Sequence, residues 1–396
     1  MTDSLLALPP EVAPFVTAVL ARPELHARLG AHQIPDHFVA EALSVAGELG
    51  IALDAAALRG ATAPDPLGLG RWGGAPVTRT RWPAGDWLPA VSVPGLGAPQ
   101  FDWAWFGDKR LRESFYLDSA RRAGSLPFNL LCRTRTDLTG IVADSPGDAL
   151  PLAGLVFHMS RCGSTLLAQM LGAVPAHVVA SEPEPLDAVL LWAWREQVPI
   201  DQAVPAVRAI VAALGRRRGT GADRFFIKAD AWHTLSLPLL RAAFPDVPWV
   251  YLFRDPLEVM VSHQRMAGMQ TVAGLMPEAL FGIERGADLP PLEYAARALD
   301  AIGRAALENW HLGGGLAVEY PDIAEEATGR IAAHFGLTLT SAQRAAMRAA
   351  GAADAKSTDR PFIDDRGAKQ AEAGPAVTEA ARLLAVNHAR LLDLAD

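Results

Sequence analysis

Beyond residue 150 the chain repeats one pattern, in which a short and wholly apolar run meets a polar turn and then a stretch with helical spacing. A parallel sheet covered by helices on both faces has strands with no polar side, so this alternation specifies an α/β domain built on a central parallel sheet. The strand candidates are GLVFH (154–158), HVVA (177–180), RFFI (224–227), WVYLF (249–253) and GLAVEY (315–320). Helical spacing covers about 163–173, 185–195, 202–217, 234–243, 256–264 and 291–310, with 341–350 and 376–394 in the tail. The expectation is a doubly wound sheet with flanking helices.

Upstream the pattern differs. Residues 11–60 read as helices with two apolar stripes, Val12, Val16, Val19 and Leu20, then Val39, Ala42, Leu43, Ala46 and Leu49. Asp36 and Asp54 are placed to cap helix starts, and Gly50 to stop one. Residues 61–100 are rich in Gly and Pro and carry Trp72, Trp82 and Trp87, which predicts an ordered but irregular connector. The expected organisation is a helical module (1–60), that connector (61–100) and an α/β domain (101–396), with the aromatics of FDWAWFGDKRLRESF serving as core.

Composition excludes several function classes. The net charge of -8, from 36 basic and 44 acidic side chains, argues against a nucleic-acid coat, so any anion site must be a local basic pocket. The opening MTDSLLALPPEV lacks a basic start followed by an apolar run, and no run of about 18 apolar residues occurs, so neither a signal peptide nor a membrane span is expected. Cys132 and Cys162 form no CxxC pair, which speaks against a zinc cage and suits a reducing, cytoplasmic compartment.

The first strand-to-helix junction reads GLVFHMSRCGSTLLAQML. A turn of Ser160, Arg161, Cys162, Gly163, Ser164 and Thr165 at a helix start points backbone N–H groups and a positive dipole end at one spot, an anion site. A Walker loop requires lysine before its Ser/Thr, to reach the phosphates beside magnesium. Here Gly163 precedes Ser164, and the basic residue is Arg161. Ligands of open parallel sheets bind at the carboxyl ends of the strands. The next three strand candidates there are followed by Ser181 and Glu182, by Lys228 and by Arg254. Three cations and a carboxylate on one edge make an anion-binding and acid/base set.

These motifs resemble those of sulfotransferases that use 3′-phosphoadenosine-5′-phosphosulfate (PAPS). SRCGSTLL is similar to the 5′-phosphosulfate loop of the bacterial members, with Cys162 where serine is usual. WVYLFRDPLEVMVSH is similar to the 3′-phosphate element, with Arg254 and Ser262 eight residues apart. GGLAVEYPDIAEEATGRIAAHFGL resembles a downstream strand and helix, with Glu319 and Tyr320 in swapped order. The resemblance spans roughly 101–396, and a second one likens the N-terminal helices to Nif11-type segments.

The resemblance implies a P-loop-like sulfotransferase fold and PAPS as co-substrate with no metal. Ser160, Arg161, Cys162, Gly163, Ser164, Thr165, Arg254 and Ser262 would hold the cofactor, with Arg161 and Lys228 neutralising charge near the bridging oxygen. Glu182 would serve as base towards a hydroxyl or amine on a small-molecule or peptide acceptor, its pKa raised by burial. The bland alternatives are Arg254 paired with Asp255, Lys228 in a structural ion pair, and Glu182 as a first-turn helix charge. Glu184, His158 and His233 are reserve bases. Residues 265–290 are expected to form a lid or acceptor wall, and Lys356, Arg360 and Lys369 are available for a basic closing loop. The rival functions are a divergent P-loop kinase and a non-catalytic sulfotransferase-like binding protein.

Overall fold

The computed structural model describes residues 8–63, 76–93, 95, 97–144, 147–320, 322–352 and 366–395. It divides into two compact units, one of residues 1–149, 184–198 and 205–221, the other of residues 150–183, 199–204 and 222–396.

In the first unit the N-terminal region is helical, with helices at Ala13–Leu20, Glu24–Gly30, Pro35–Glu48 and Ala55–Ala61. Phe15, Val19, Phe38, Val45 and Leu58 are fully buried between them. Asp54 caps its helix by accepting the Ala57 N–H at 2.7 Å, and Gly50 adopts φ +67° just past the third helix, as expected. Asp36 is not a cap. Pro35 takes the first helical position, with φ preset, so Ile34 is the capping residue and Asp36 sits in the first turn, where its charge suits the dipole.

The helices pack on a four-stranded sheet that the sequence pattern did not reveal. Strands β1 (Val77–Arg79), β2 (Trp87–Val93), β3 (Gln100–Trp105) and β4 (Thr134–Asp137) are ordered β1-β4-β3-β2, with only β1 and β4 parallel. The expected irregular connector thus contains a regular strand, β2, whose register shifts between Pro89 and Val91. Trp82 and Trp87 are buried, while Trp72 lies outside the described residues. Phe101, Trp103, Trp105 and Phe106 are core, as the acidic charge balance of the chain implied. In this unit the Ser92 N–H donates to Glu184 at 2.6 Å, so this reserve base is engaged with β2.

The second unit is the predicted parallel sheet. Its strands are β5 (Leu152–His158), β6 (His177–Ser181), β7 (Arg224–Lys228), β8 (Trp249–Phe253) and β9 (Gly315–Glu319), in the order β6-β7-β5-β8-β9. Every pairing is parallel, and Val156, Phe225, Ile227, Val250, Leu252 and Val318 are fully buried, which explains the unbroken apolar runs. The first strand in sequence lies in the middle, so the order reverses at β5, the kind of point beyond whose carboxyl end open parallel sheets bind ligands. Two helices differ from expectation. Residues 231–236 form a 3-10 turn, capped by Asp230 and His233, ahead of helix Leu237–Ala243, and the tail holds two helices, Pro375–Arg382 and Ala385–Ala395. Among the described residues no helix is long and apolar enough to cross a membrane.

Candidate active site

The turn after β5 holds a strained backbone. Ser160 (φ 83°), Arg161 (φ 53°) and Gly163 (φ 84°) all occupy the left-handed region, which costs a non-glycine residue about 1–2 kcal/mol. The surroundings hold it there. The Met159 N–H donates to the Leu252 carbonyl at 3.0 Å, and the Ser160 N–H donates to His158 Nδ1 at 3.1 Å. Gly163 is required, because a Cβ would come within 3.0 Å of both Tyr320 and Ile323. Helix Ser164–Gly172 follows, and no side chain caps it, so its first N–H groups have no side-chain partner.

Cys162 departs from the role expected of it. Its side chain is fully buried and donates to the Leu252 carbonyl at 3.1 Å, and burial pushes the thiol up to about 12. Only its backbone remains for a ligand. Ser164 is 5% exposed at the helix start, and Ser160 and Thr165 flank it. Arg161 reaches across to the carbonyl of Met266 at 2.6 Å, while its Nε is buried without a partner. Burial lowers the guanidinium's pKa, and the charge of Glu182 opposes that shift.

Glu182 and Lys228 form a close ion pair, joined by Glu182 Oε1. Ser181 and Lys228 are register partners on β6 and β7, and the Glu182 N–H donates to the Lys228 carbonyl at 2.7 Å, so the two strand ends place both charges. Glu182 is itself left-handed, at φ 52°, a third strained position on the same sheet edge. Its basicity is the reverse of the expectation. Burial alone raises the carboxyl pKa, but the Lys228 ammonium, aided by His158, outweighs burial and holds it well below the usual carboxylate range. His158 Nε2 lies 3.7 Å from the same oxygen and 3.0 Å from the Ala229 carbonyl. With both ring nitrogens engaged, His158 is not an available base. His233 likewise accepts the Asp230 N–H at 3.2 Å on Nδ1 and faces the Asp230 carboxylate through Nε2 at 3.6 Å.

Arg254 follows β8 and is 4% exposed. Its partner is Glu258, one turn along helix Pro256–Arg265, at 2.6 Å from Nε, and its guanidinium lies 4.0 Å above the Tyr320 ring. Asp255, the bland partner considered from sequence, instead caps the helix by accepting the Glu258 N–H at 3.1 Å. Ser262 donates to the Glu258 carbonyl at 2.8 Å, one turn back along the same helix. Tyr320 touches the position beside Gly163 and underlies Arg254, joining the loop to this second element.

The tail contributes differently from expectation. Lys369 is 6% exposed on helix Arg366–Glu372 rather than on a solvated loop, and its neighbour Gln370 donates to Glu258 at 3.2 Å. Lys356 and Arg360 lie outside the described residues. In the stretch proposed as an acceptor wall, Met266, Met269 and Leu275 are exposed, whereas Gln270 and Thr271 are buried.

Sequence reasoning missed Glu258 and Tyr320. The i,i+4 spacing of Arg254 and Glu258 was a usable signal. Tyr320 was not, because its contact with Arg254 joins β9 to β8 through folding alone.

Residues 155–341 match the family model described as "Sulfotransferase family". Among solved structures, the sulfotransferase domain from the curacin biosynthetic pathway aligns with 60% of this chain and 98% of its own, at 14% identity and a TM-score of 0.38. The sulfotransferase domain from the Synechococcus PCC 7002 olefin synthase aligns with 61% of this chain and 98% of its own, at 15% identity and a TM-score of 0.36. A Mycobacterium tuberculosis H37Rv sulfotransferase aligns with 60% and 77%, at 18% identity and a TM-score of 0.37. No curated protein matches the sequence. The matched span opens within β5 and runs to the start of helix Ser341–Gly351, so the part of the chain similar to the sulfotransferase family takes in the loop, the Glu182–Lys228 pair and the Arg254 helix.

Proposed function

We propose that the protein transfers a sulfuryl group from PAPS to a hydroxyl or amine of a small-molecule or peptide acceptor. The observation that carries this reading is the gathering, at one sheet edge, of an uncapped helix start, three cations (Arg161, Lys228, Arg254) and the Glu182 carboxylate. The residues suit an anionic nucleotide. Arg161 Nε is a buried donor without a protein partner. Fixed cations and N–H groups supply the charge that magnesium supplies in kinases, so the reading includes no metal.

In this reading the loop N–H groups and Arg161 hold the phosphosulfate end, and Arg254 and Ser262 hold the 3′-phosphate. Glu182 accepts the acceptor's proton as the new bond to sulfur forms and the bond from sulfur to the phosphate oxygen breaks. Lys228 serves both events. An anion at the loop draws on the ammonium that otherwise holds Glu182 low, which raises the carboxylate's basicity when the donor is in place. Because Arg254 is oriented by Glu258 and Tyr320 before any ligand arrives, it loses little freedom on binding.

Arg254→Ala tests the assignment. Loss of a charge-assisted contact is expected to weaken adenosine 3′,5′-bisphosphate by about 1.5–3 kcal/mol, with adenosine 5′-monophosphate nearly unaffected. Titration calorimetry of both nucleotides reads the difference, and equal weakening of the two removes Arg254 from the 3′-phosphate.

A further inference from the structure

His158 closes β5, is 4% exposed, and belongs to neither the anion-binding set nor the base in the reading above. Its ring makes two bonds of opposite sense. The Ser160 N–H can only donate, so Nδ1 accepts it at 3.1 Å, and the Ala229 carbonyl can only accept, so Nε2 donates to it at 3.0 Å. That fixes the neutral tautomer protonated on Nε2. Ala229 is a rigid anchor, since its own N–H donates back to Val156 of β5 at 2.9 Å. The residue held at the other end, Ser160, has the left-handed φ of 83° that a serine adopts only under constraint.

The charged groups facing the ring are Lys228 at the end of β7 and Glu182 beyond β6, and across β8 its register partner is the apolar Leu252. On the 3-10 turn packed against β5, Asp230 and His233 face one another. Burial first, and then the Lys228 ammonium, lower the ring's pKa, and both keep Nδ1 open as an acceptor.

We propose that His158 is a positioning residue that ties the Ser160 peptide to the end of β7 and thereby holds the loop N–H groups in their anion-binding arrangement. The proposal rests on the reading that this loop binds the 5′-phosphate end of the nucleotide. It predicts that the bond to Ser160, rather than the ring's bulk, governs affinity.

Two substitutions of matched severity separate those possibilities. In His158→Asn the side-chain oxygen sits near the place of Nδ1, which keeps an acceptor for Ser160 and loses the donor to Ala229. In His158→Gln the amide nitrogen reaches the place of Nε2, which keeps that donor and loses the acceptor. Adenosine 3′,5′-bisphosphate is titrated into the full chain and both variants, alongside thermal melts. The expected result is that the Asn variant binds within about threefold of wild type and the Gln variant about tenfold more weakly, with similar losses in melting temperature. Wild-type affinity in the Gln variant, or equal weakening of both, overturns the role of His158 while leaving the loop as the nucleotide site. If the Gln variant does not fold, tenfold weakening in the Asn variant alone overturns it. Failure of the wild-type chain to bind overturns both this inference and the reading beneath it.

Discussion

Replacing Glu182 with glutamine is expected to slow sulfuryl transfer by roughly 10²–10⁴, with affinity for adenosine 3′,5′-bisphosphate nearly unchanged. Glutamine keeps the shape at this left-handed position and an oxygen for Lys228, but it takes up no proton. The resting carboxylate, held low by Lys228, is a weak base, so its catalytic use depends on that ammonium being shared with the bound donor. Single-turnover measurement isolates the chemical step from product release. Transfer at the wild-type rate in the Gln variant removes Glu182 from proton transfer. Neither His158 nor His233 offers a ready substitute, since each has Nδ1 occupied by a backbone N–H.

Lys228→Met is expected to cost about 3 kcal/mol of stability, the low end of the penalty for breaking a buried ion pair. Lys228 is 1% exposed, but Glu182 keeps 24% of its side-chain surface, so water relieves part of the stranded charge. The pH dependence is the sharper sign. In the wild type the Glu182 carboxyl is depressed below its unfolded value, so the pair's contribution is present above the ordinary carboxylate range and is lost as pH falls through the depressed value. In the variant burial still raises the carboxyl and only His158 still lowers it, so the depression shrinks and less stability is gained as pH rises through the carboxylate range. Urea denaturation from about pH 2 to about pH 8 reads both slopes. Parallel profiles in the two proteins contradict the pairing.

The parts of the fold that the sequence revealed are those governed by local pattern. All five parallel strands lie within two residues of their apolar runs, because burial on both faces leaves no polar position to blur the ends. The four-stranded sheet was hidden for the opposite reason. Its strands are three to seven residues long, β2 carries Pro89 and a register shift, and its β1–β4 pairing joins residues 77 and 134, so composition pointed to turns. At the site, residue types and strand ends placed Arg161, Glu182, Lys228 and Arg254 on one edge. Side-chain direction was not legible. Cys162 faces the Leu252 carbonyl, and Glu182 meets an ammonium rather than an apolar wall, because both depend on neighbours from other strands.

Titration calorimetry with adenosine 3′,5′-bisphosphate in excess chelator puts the PAPS reading to its plainest trial. The account predicts submillimolar binding at one site without added metal, since Arg161, Lys228, Arg254 and the uncapped helix start supply the positive charge. No binding, or binding that appears only when magnesium is restored, would contradict it.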